Sequence, residues 1–285
     1  MVVPGDVVAA ARDGNFAVVE AYFASAPRDV EDHVASGGGG MTMPLPLLHI
    51  AVGFQIAQMD DADGRYRIAE MLLARGADPN GRSGWGYVPL SYPLHRCEAH
   101  GTPRLVKLLL LNGADAKAMG CELPVRAFSQ SCTGCLLRSL CLLRSPSDAL
   151  TSGFAGDPDS PLKNHLKCLK LLLRAGASLD NCITGANGPT VVDAEWCLRN
   201  QEERESYVAS LTADVDWIAI KDLVHAFRAA GSWKALCRVP LKEFMHLRSH
   251  FHKGRATTTD ALVERMLHLP NGPCWKVLTF WREAA

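Results

Sequence analysis

A glycine preceded by apolar residues at fixed distances recurs along this chain and limits the folds open to it. Eight, five and four positions before Gly113 stand Leu105, Leu108 and Leu109. The same three positions are apolar before three more glycines: Ile68, Met71 and Leu72 before Gly76; Cys168, Leu171 and Leu172 before Gly176; Leu223, Ala226 and Phe227 before Gly231. Offsets of three and four place side chains on one helical face. The pattern predicts helices that bury these residues in a core.

Each of these glycines stands where a helix is expected to end. The residue after the last helical turn often takes a left-handed backbone, which glycine reaches without a steric penalty. Turn-forming segments follow three of the glycines: Ala77-Asp78-Pro79-Asn80, Ala114-Asp115 and Ala177-Ser178. Pro79 cannot continue a helix. The sequence therefore predicts a repeated unit of helix, glycine and turn.

A shorter apolar segment before the helices that end at Gly76, Gly113 and Gly231 predicts a first helix that pairs with each of them, and the N-terminal residues repeat the same layout. The segments are Val7–Ala11 (followed by Gly14, Val18-Val19 and Tyr22-Phe23), Leu47–Val52, Tyr92–His95 (followed by Gly101) and Thr190–Asp193. Helices this short are marginal in isolation. Stacked pairs can bury a shared core instead, so we expect the pairs to pack on one another.

The combined pattern resembles the ankyrin repeat, a unit of about 33 residues with a turn and two antiparallel helices. Pro93–Asp115 closely follows the family's order of Pro-Leu-His, Gly, Val-x-x-Leu-Leu and Gly-Ala-Asp, and Met71–Asn80 follows its second half. The resemblance implies an all-α solenoid of stacked antiparallel helix pairs, with about five units over residues 3–233. It also implies a structural role for His49 and His95, because the histidine at this position of an ankyrin repeat forms hydrogen bonds with the backbone between neighbouring units.

Two insertions interrupt the repeats, near residues 53–66 and 129–162. The first contains Asp60, Asp61 and Asp63. A Ca²⁺ loop needs more ligands at regular spacing, so we interpret it as a solvated acidic loop. The second contains Leu136–Leu143, interpreted as an additional amphipathic helix that covers the stack, and Ser145–Pro161, interpreted as a mobile loop.

The pair Cys132-x-x-Cys135 leaves three interpretations open. Plain reduced thiols are the leading one. The two thiolates could instead bind Zn²⁺, with Cys121, His165 or Cys168 completing four ligands, or form a redox pair, although that motif is typical of a strand–helix setting. The ten cysteines are scattered over the chain, which favours an intracellular protein, cytoplasmic or nuclear. The N-terminus has no basic segment followed by an apolar core, so no signal peptide is expected.

Residues 234–285 are predicted to form a separate helical segment. Pro240–His252 is predicted as a helix that ends at Gly254. Thr257–Asp260 offers an N-cap for a helix over Ala261–His268. The histidines of the first of these helices have no cysteine partner and are interpreted as a solvated face: His246, His250 and His252.

Two interpretations of this segment stay open. It could cap the last repeat, as solenoids require, or it could dock a ubiquitin ligase. Leu269-Pro270 before an apolar stretch resembles the start of an F-box or the end of a SOCS box, without the full Leu-Pro-Leu-Pro. Leu236-Cys237-Arg238 is similar to an upstream element of ankyrin chains that carry a SOCS box. The candidate docking residues are Leu269, Pro270, Trp275, Leu278 and Trp281.

Composition and motifs narrow the function. The net charge of +0 gives no sign of nucleic-acid binding, and no apolar run approaches the roughly 18 residues of a membrane span. No phosphate loop, nucleophile elbow or metalloprotease motif is present, so we expect no enzyme, cofactor or metal. We expect a monomeric protein-interaction scaffold, with a ligase substrate adaptor as the alternative. The resemblance implies a partner surface on the hairpin tips and the concave face, with candidate residues Asn80, Arg82, Trp85, Tyr87, Lys117 and Met119.

Overall fold

The computed structural model of the chain is mainly helical, which confirms the coarse prediction of an α-helical protein. It describes residues 2–25, 29–30, 33–36, 43–53, 62–84, 86–95, 97, 102–123, 128–140, 161–180, 183–185, 188–203, 213–274 and 276. The helices are α1 Gly5–Asp13, α2 Phe16–Ala24, α3 Leu47–Ala51, α4 Ala62–Ala74, α5 Ser91–His95, α6 Thr102–Leu111, α7 Cys132–Leu140, α8 Pro161–Arg174, α9 Ala194–Glu203, α10 Val215–Ala230, α11 Trp233–Leu236, α12 Val239–His252 and α13 Ala261–His268.

The chain divides into two compact units, Met1–Val224 and His225–Ala285, with the division inside α10. In the first unit, consecutive helices contact each other in the pairs α1 with α2, α3 with α4, α5 with α6 and α7 with α8. The second members of these pairs form a row, because α4 contacts α2 and α6, and α6 contacts α8. Among the first members, α1 contacts α3, and α5 contacts α7. Helix α7 also contacts α9, the helix that follows the last of these pairs.

The apolar residues that precede three of the repeated glycines supply much of the core. Leu105, Leu108 and Leu109 are buried, as are the equivalents Ile68, Leu72, Cys168 and Leu172, while Met71 and Leu171 are half-buried. The prediction is wrong before Gly231, where Ala226 is exposed and Leu223 and Phe227 are half-buried. There α10 buries another face, made of Trp217, Ile220 and Val224. This face contacts α9, because the Trp217 indole donates from Nε1 to Glu202 Oε1 at 3.1 Å.

Within the described residues, six short strands form two antiparallel sheets that the all-α prediction does not include. They are β1 His33–Ser36, β2 Met43–Pro46, β3 Met119–Leu123, β4 Phe128–Ser131, β5 Ile183–Gly185 and β6 Gly188–Val192. β1 pairs with β2, and the other four pair in the order β3-β4-β5-β6. Their registers include Val34 opposite Leu45 and Ser129 opposite Thr184. β2 leads into α3, β4 into α7, and β6 into α9 after one residue.

The structure corrects the predicted starts of two helices. Thr190–Val192 belongs to a strand, and the helix begins after Asp193, whose carboxylate accepts a hydrogen bond from the Trp196 N–H at 2.8 Å. The helix predicted at Leu136 already begins at Cys132 and contacts α5, α8 and α9. It packs as the first member of a pair, where an added covering helix was expected, because both Cys132 and Cys135 face the core.

Within the predicted insertion at 53–66, helix α4 already begins at Ala62. Asp63 lies in its first turn and forms an ion pair with Arg104 of α6. The same guanidinium lies 4.5 Å from the centroid of the Tyr66 ring. Asp63 is therefore part of the contact between two neighbouring second helices. Asp60, Asp61 and residues 145–160 of the predicted mobile loop lie outside the described residues, and Pro161 already begins α8.

The second unit contains α11, α12 and α13. Asp260 caps α13 by accepting hydrogen bonds from the N–H groups of Leu262 and Val263 at 2.8 and 3.1 Å, which confirms the predicted start of this helix. Gly254 follows α12 with a φ of 67°, as expected of a left-handed residue after a helix end. Among the described helices of the whole chain, none combines the length and apolar character needed to cross a bilayer.

Candidate partner-binding face

Three turns that follow second helices have nearly the same backbone geometry. Gly76, Gly113 and Gly176 have φ angles of 94°, 91° and 91°. The N–H of the alanine after each glycine donates to the carbonyl five residues earlier, at 3.0, 2.9 and 3.0 Å. The glycine N–H donates to the carbonyl three residues earlier, at 3.0, 3.2 and 3.1 Å. These two bonds define a Schellman motif, so the sequence correctly predicted the three left-handed glycines.

A side-chain acceptor two residues after each glycine closes the next bend. The carboxylates of Asp78 and Asp115 accept from the N–H groups of Asn80 and Lys117, both at 2.8 Å. In the third turn, the Ser178 hydroxyl accepts from the Asp180 N–H at 2.9 Å. Asp and Ser commonly support turns in this way. Asn80, Lys117 and Asp180 therefore occupy equivalent positions, four residues after their glycines.

Two of these equivalent residues reach the glycine of the following turn. The Asn80 side chain donates from Nδ2 to the carbonyl of Gly113 at 2.9 Å, and its Oδ1 accepts from the Asp115 N–H at 2.7 Å. The Lys117 side chain lies beside Gly176, with Cε 3.1 Å from where a β-carbon on Gly176 would stand. Successive turns are thus connected by side chains at the same position of the unit.

A tight turn runs from Ser83 to Tyr87, shortly after Asn80 in the chain. The Ser83 N–H donates to the Tyr87 carbonyl at 2.9 Å, and the Tyr87 N–H donates to the Ser83 hydroxyl at 3.2 Å. The Tyr92 hydroxyl lies 3.3 Å from the same Ser83 oxygen. Ser83 is buried, and nothing in the sequence marks it, because its partners come from the fold of the loop around it.

His49 connects α3 to this turn. Its Nε2 donates to the Tyr87 carbonyl at 3.2 Å, and its ring meets the Tyr92 ring edge-on with centroids 5.5 Å apart. The imidazole is buried, and burial lowers its pKa to about 4, against smaller opposing effects of the Tyr87 and Gly81 carbonyls and the Asp78 charge. A neutral histidine that bonds the backbone of a distant segment confirms the structural role expected for His49.

The six predicted partner-binding residues differ in exposure and in the contacts they make. Asn80 and Lys117 are exposed and bridge turns, and Arg82 is exposed and donates from Nη1 to the Gly86 carbonyl at 2.8 Å. Tyr87 is half-buried, with its ring 5.5 Å from that of Tyr92. Met119 opens β3 opposite Ser131, and Trp85 lies outside the described residues. The structure therefore gathers Asn80, Arg82 and Tyr87 in one loop, and Lys117 in the next.

Leu269, one of the predicted docking residues, contacts a buried arginine of the second unit that sequence reasoning missed. Arg248 of α12 donates from Nε to the Leu267 carbonyl at 3.1 Å, from Nη2 to the Leu269 carbonyl and from Nη1 to Asn271 Oδ1 at 3.0 Å. Its positive charge meets the C-terminal carbonyls of α13, where cations are favoured. Leu269 is half-buried and Pro270 exposed. Trp275, Leu278 and Trp281 lie outside the described residues.

The Cys132-x-x-Cys135 pair lies in the core, with both side chains buried in α7. Burial raises the pKa of the Cys132 thiol to about 12, and its sulfur lies 3.7 Å from the Ala118 carbonyl. A thiol needs to lose its proton to attack a disulfide or bind a metal. His165, one of the predicted zinc ligands, instead has its Nε2 2.8 Å from the Ser139 hydroxyl. These contacts favour reduced structural thiols.

A scan against protein-family models gives no match for this sequence, and a search of the curated proteins gives no significant match either. The assignment of a function therefore depends on the chain's own geometry.

Proposed function

We propose that this protein is a non-enzymatic scaffold of the ankyrin-repeat type that binds a protein partner through the connected turns of its first unit. The observation that carries the proposal is the equivalence of the turns at Gly76, Gly113 and Gly176, each closed by the same backbone bonds. Together with the rows of contacting helices, this equivalence supports a solenoid of stacked pairs. Strands β3 and β5 of the second sheet follow the Gly113 and Gly176 turns along the chain.

The turns suit recognition because their backbone is already ordered before a partner arrives. Asn80 connects one loop to the next, so binding has little loop ordering left to complete, which favours affinity. Arg82 and Lys117 project from these loops as exposed cations, beside the exposed carboxylates of Asp78 and Asp115. Such a mixed surface fits a folded protein with complementary charges better than a uniformly charged polymer.

The test compares proteins captured by the full-length chain with those captured by the double variant Arg82→Glu/Lys117→Glu. The control is Lys107→Glu, which reverses an exposed charge on α6, away from the turns. We expect the control to keep the wild-type partner set, with the double variant losing it while its circular dichroism spectrum is unchanged. Equal capture by all three proteins would count against binding through the turns.

A second candidate function is that of a substrate adaptor in which residues 236–285 dock a ubiquitin ligase. The observation that favours it is the separate compactness of His225–Ala285, together with the way Arg248 organises the Leu269-Pro270 segment. In such an adaptor, the repeats would bind the protein that is to be ubiquitinated, and the second unit would bind the ligase.

Co-purification with a cullin scaffold distinguishes the two functions. We expect an adaptor to capture the cullin with the full chain and to lose it with Pro270→Glu, which alters an exposed residue. A plain scaffold captures its partners equally with and without this substitution, and captures no cullin. Lys253→Glu, an exposed charge reversal in the same unit, serves as the control for non-specific effects.

A further inference from the structure

Two histidines of α12 present the same ring nitrogen to each other. His246 Nε2 lies 3.2 Å from His250 Nε2, and the two ring planes make an angle of 70° with centroids 4.5 Å apart. The residues are four apart in a helix of 14 residues, so they are neighbours on one helical face. The helix therefore places the two side chains next to each other before any ligand binds.

This spacing matches what one metal ion requires. Zn²⁺–nitrogen bonds are about 2.0–2.1 Å long, so two ligating nitrogens stand roughly 2.9 Å apart at a right angle and roughly 3.4 Å apart at a tetrahedral angle. The observed 3.2 Å lies between these two values. Both nitrogens can therefore reach one ion without a change in the helix.

We propose that His246 and His250 form a two-histidine surface site for a divalent late transition metal ion such as Zn²⁺. Imidazole nitrogen suits zinc, copper and nickel, whereas magnesium and calcium take oxygen ligands. His246 is exposed and His250 half-buried, so water can fill the other coordination positions. Over the described part of the chain, no group of three His, Cys, Asp or Glu side chains could hold a metal ion. With two protein ligands, the bound ion exchanges readily with solvent.

The test is a calorimetric titration of Zn²⁺ into the full-length, reduced chain at about pH 7.5, where free imidazole is mostly neutral. The variants are His246→Ala, His250→Ala and the double variant. The controls are His252→Ala, on the same helix, and Cys237→Ser, which removes a half-buried thiol of the same unit. We expect wild type and both controls to bind one more equivalent of Zn²⁺ than any of the three variants. The double variant loses no more than either single one, because the two nitrogens hold one ion.

Equal Zn²⁺ stoichiometry in wild type and the histidine variants would overturn the proposal, as would loss of the equivalent in Cys237→Ser. Thermal unfolding gives a second readout, since a ligand that binds only the folded state raises Tm. The Zn²⁺-dependent rise in Tm should be present in wild type and absent in His246→Ala. It should vanish at about pH 5.5, where protons compete for imidazole nitrogen, and a rise that persists there would also contradict a histidine site.

Discussion

Asn80 donates a hydrogen bond from Nδ2 to the carbonyl oxygen of Gly113, the left-handed glycine of the next turn, at 2.9 Å. The Oδ1 atom of the same side chain accepts from the Asp115 N–H. One amide thus satisfies an acceptor and a donor on a loop more than thirty residues away. This contact makes Asn80 a structural residue of the turns as well as a candidate partner contact.

Replacing Asn80 with alanine should therefore weaken the first unit. Two exposed hydrogen bonds are lost, and each contributes about 0.5–1.5 kcal/mol to the free energy of unfolding, so we expect a loss of about 1–3 kcal/mol. Asn112→Ala is the matched control, because its Nδ2 bonds only the nearby Leu108 carbonyl. Urea unfolding at equilibrium measures both variants, and an equal effect of the two would contradict a role in connecting turns.

Stability should fall with acid because of His49. Its pKa is about 4 in the folded chain and about 6.5 when unfolded, so the unfolded state binds the proton first as the pH falls. Stability is complete above about pH 6.5 and is lost progressively down to about pH 4, by up to about 3 kcal/mol.

His49→Gln removes the titrating group and should flatten this pH dependence, although it also lowers stability at neutral pH. The free energy of unfolding at about pH 7 and about pH 5 provides the comparison. His252→Gln, an exposed histidine, should keep the wild-type slope. If His49→Gln keeps it too, the acid sensitivity has another source.

Two leucines of α6 provide a direct measure of the core. Leu109 is 0% exposed and Leu111 is 75% exposed. We expect Leu109→Ala to lower the free energy of unfolding by about 2–5 kcal/mol, since it removes buried methyl groups and leaves a cavity. Leu111→Ala should change it by less than about 0.5 kcal/mol. Similar effects of the two substitutions on the free energy of unfolding in urea would mean that α6 does not bury the face that contains Leu109.

Arg248 should be required for the order of the second unit. Arg248→Met leaves the carbonyls of Leu267 and Leu269 without this donor, at a cost of about 2–4 kcal/mol, since hydrogen bonds to a charged group contribute about 1.5–3 kcal/mol. Arg248→Lys should restore only part of the loss, because an ammonium lacks the guanidinium fork. Amide hydrogen exchange in α12 and α13 reports the effect. Unchanged protection from exchange in Arg248→Met would contradict this role of Arg248. The control is Arg265→Ala, which replaces an exposed arginine.

The sequence was most informative where a signal is local. Asp260 predicted the start of α13, and Gly76, Gly113 and Gly176 predicted three helix ends, since capping and left-handed φ angles depend on residues within one turn. The apolar spacing failed at Gly231, where the side chains around α10 decide which face is buried. Strands β3 to β6 were missed because their pairing joins segments that are distant along the chain.

By itself, the sequence determined that the chain is mainly helical, where several helices end, and which leucines form the core before three glycines. Only the tertiary structure decided that Asn80 reaches Gly113 and that Arg248 holds the end of α13. The physical reason is the distance along the chain over which each interaction acts. Helix propensity, capping and periodicity act within a few residues, whereas hydrogen bonds between loops and the rotamers of facing side chains depend on which segments the packed core brings together.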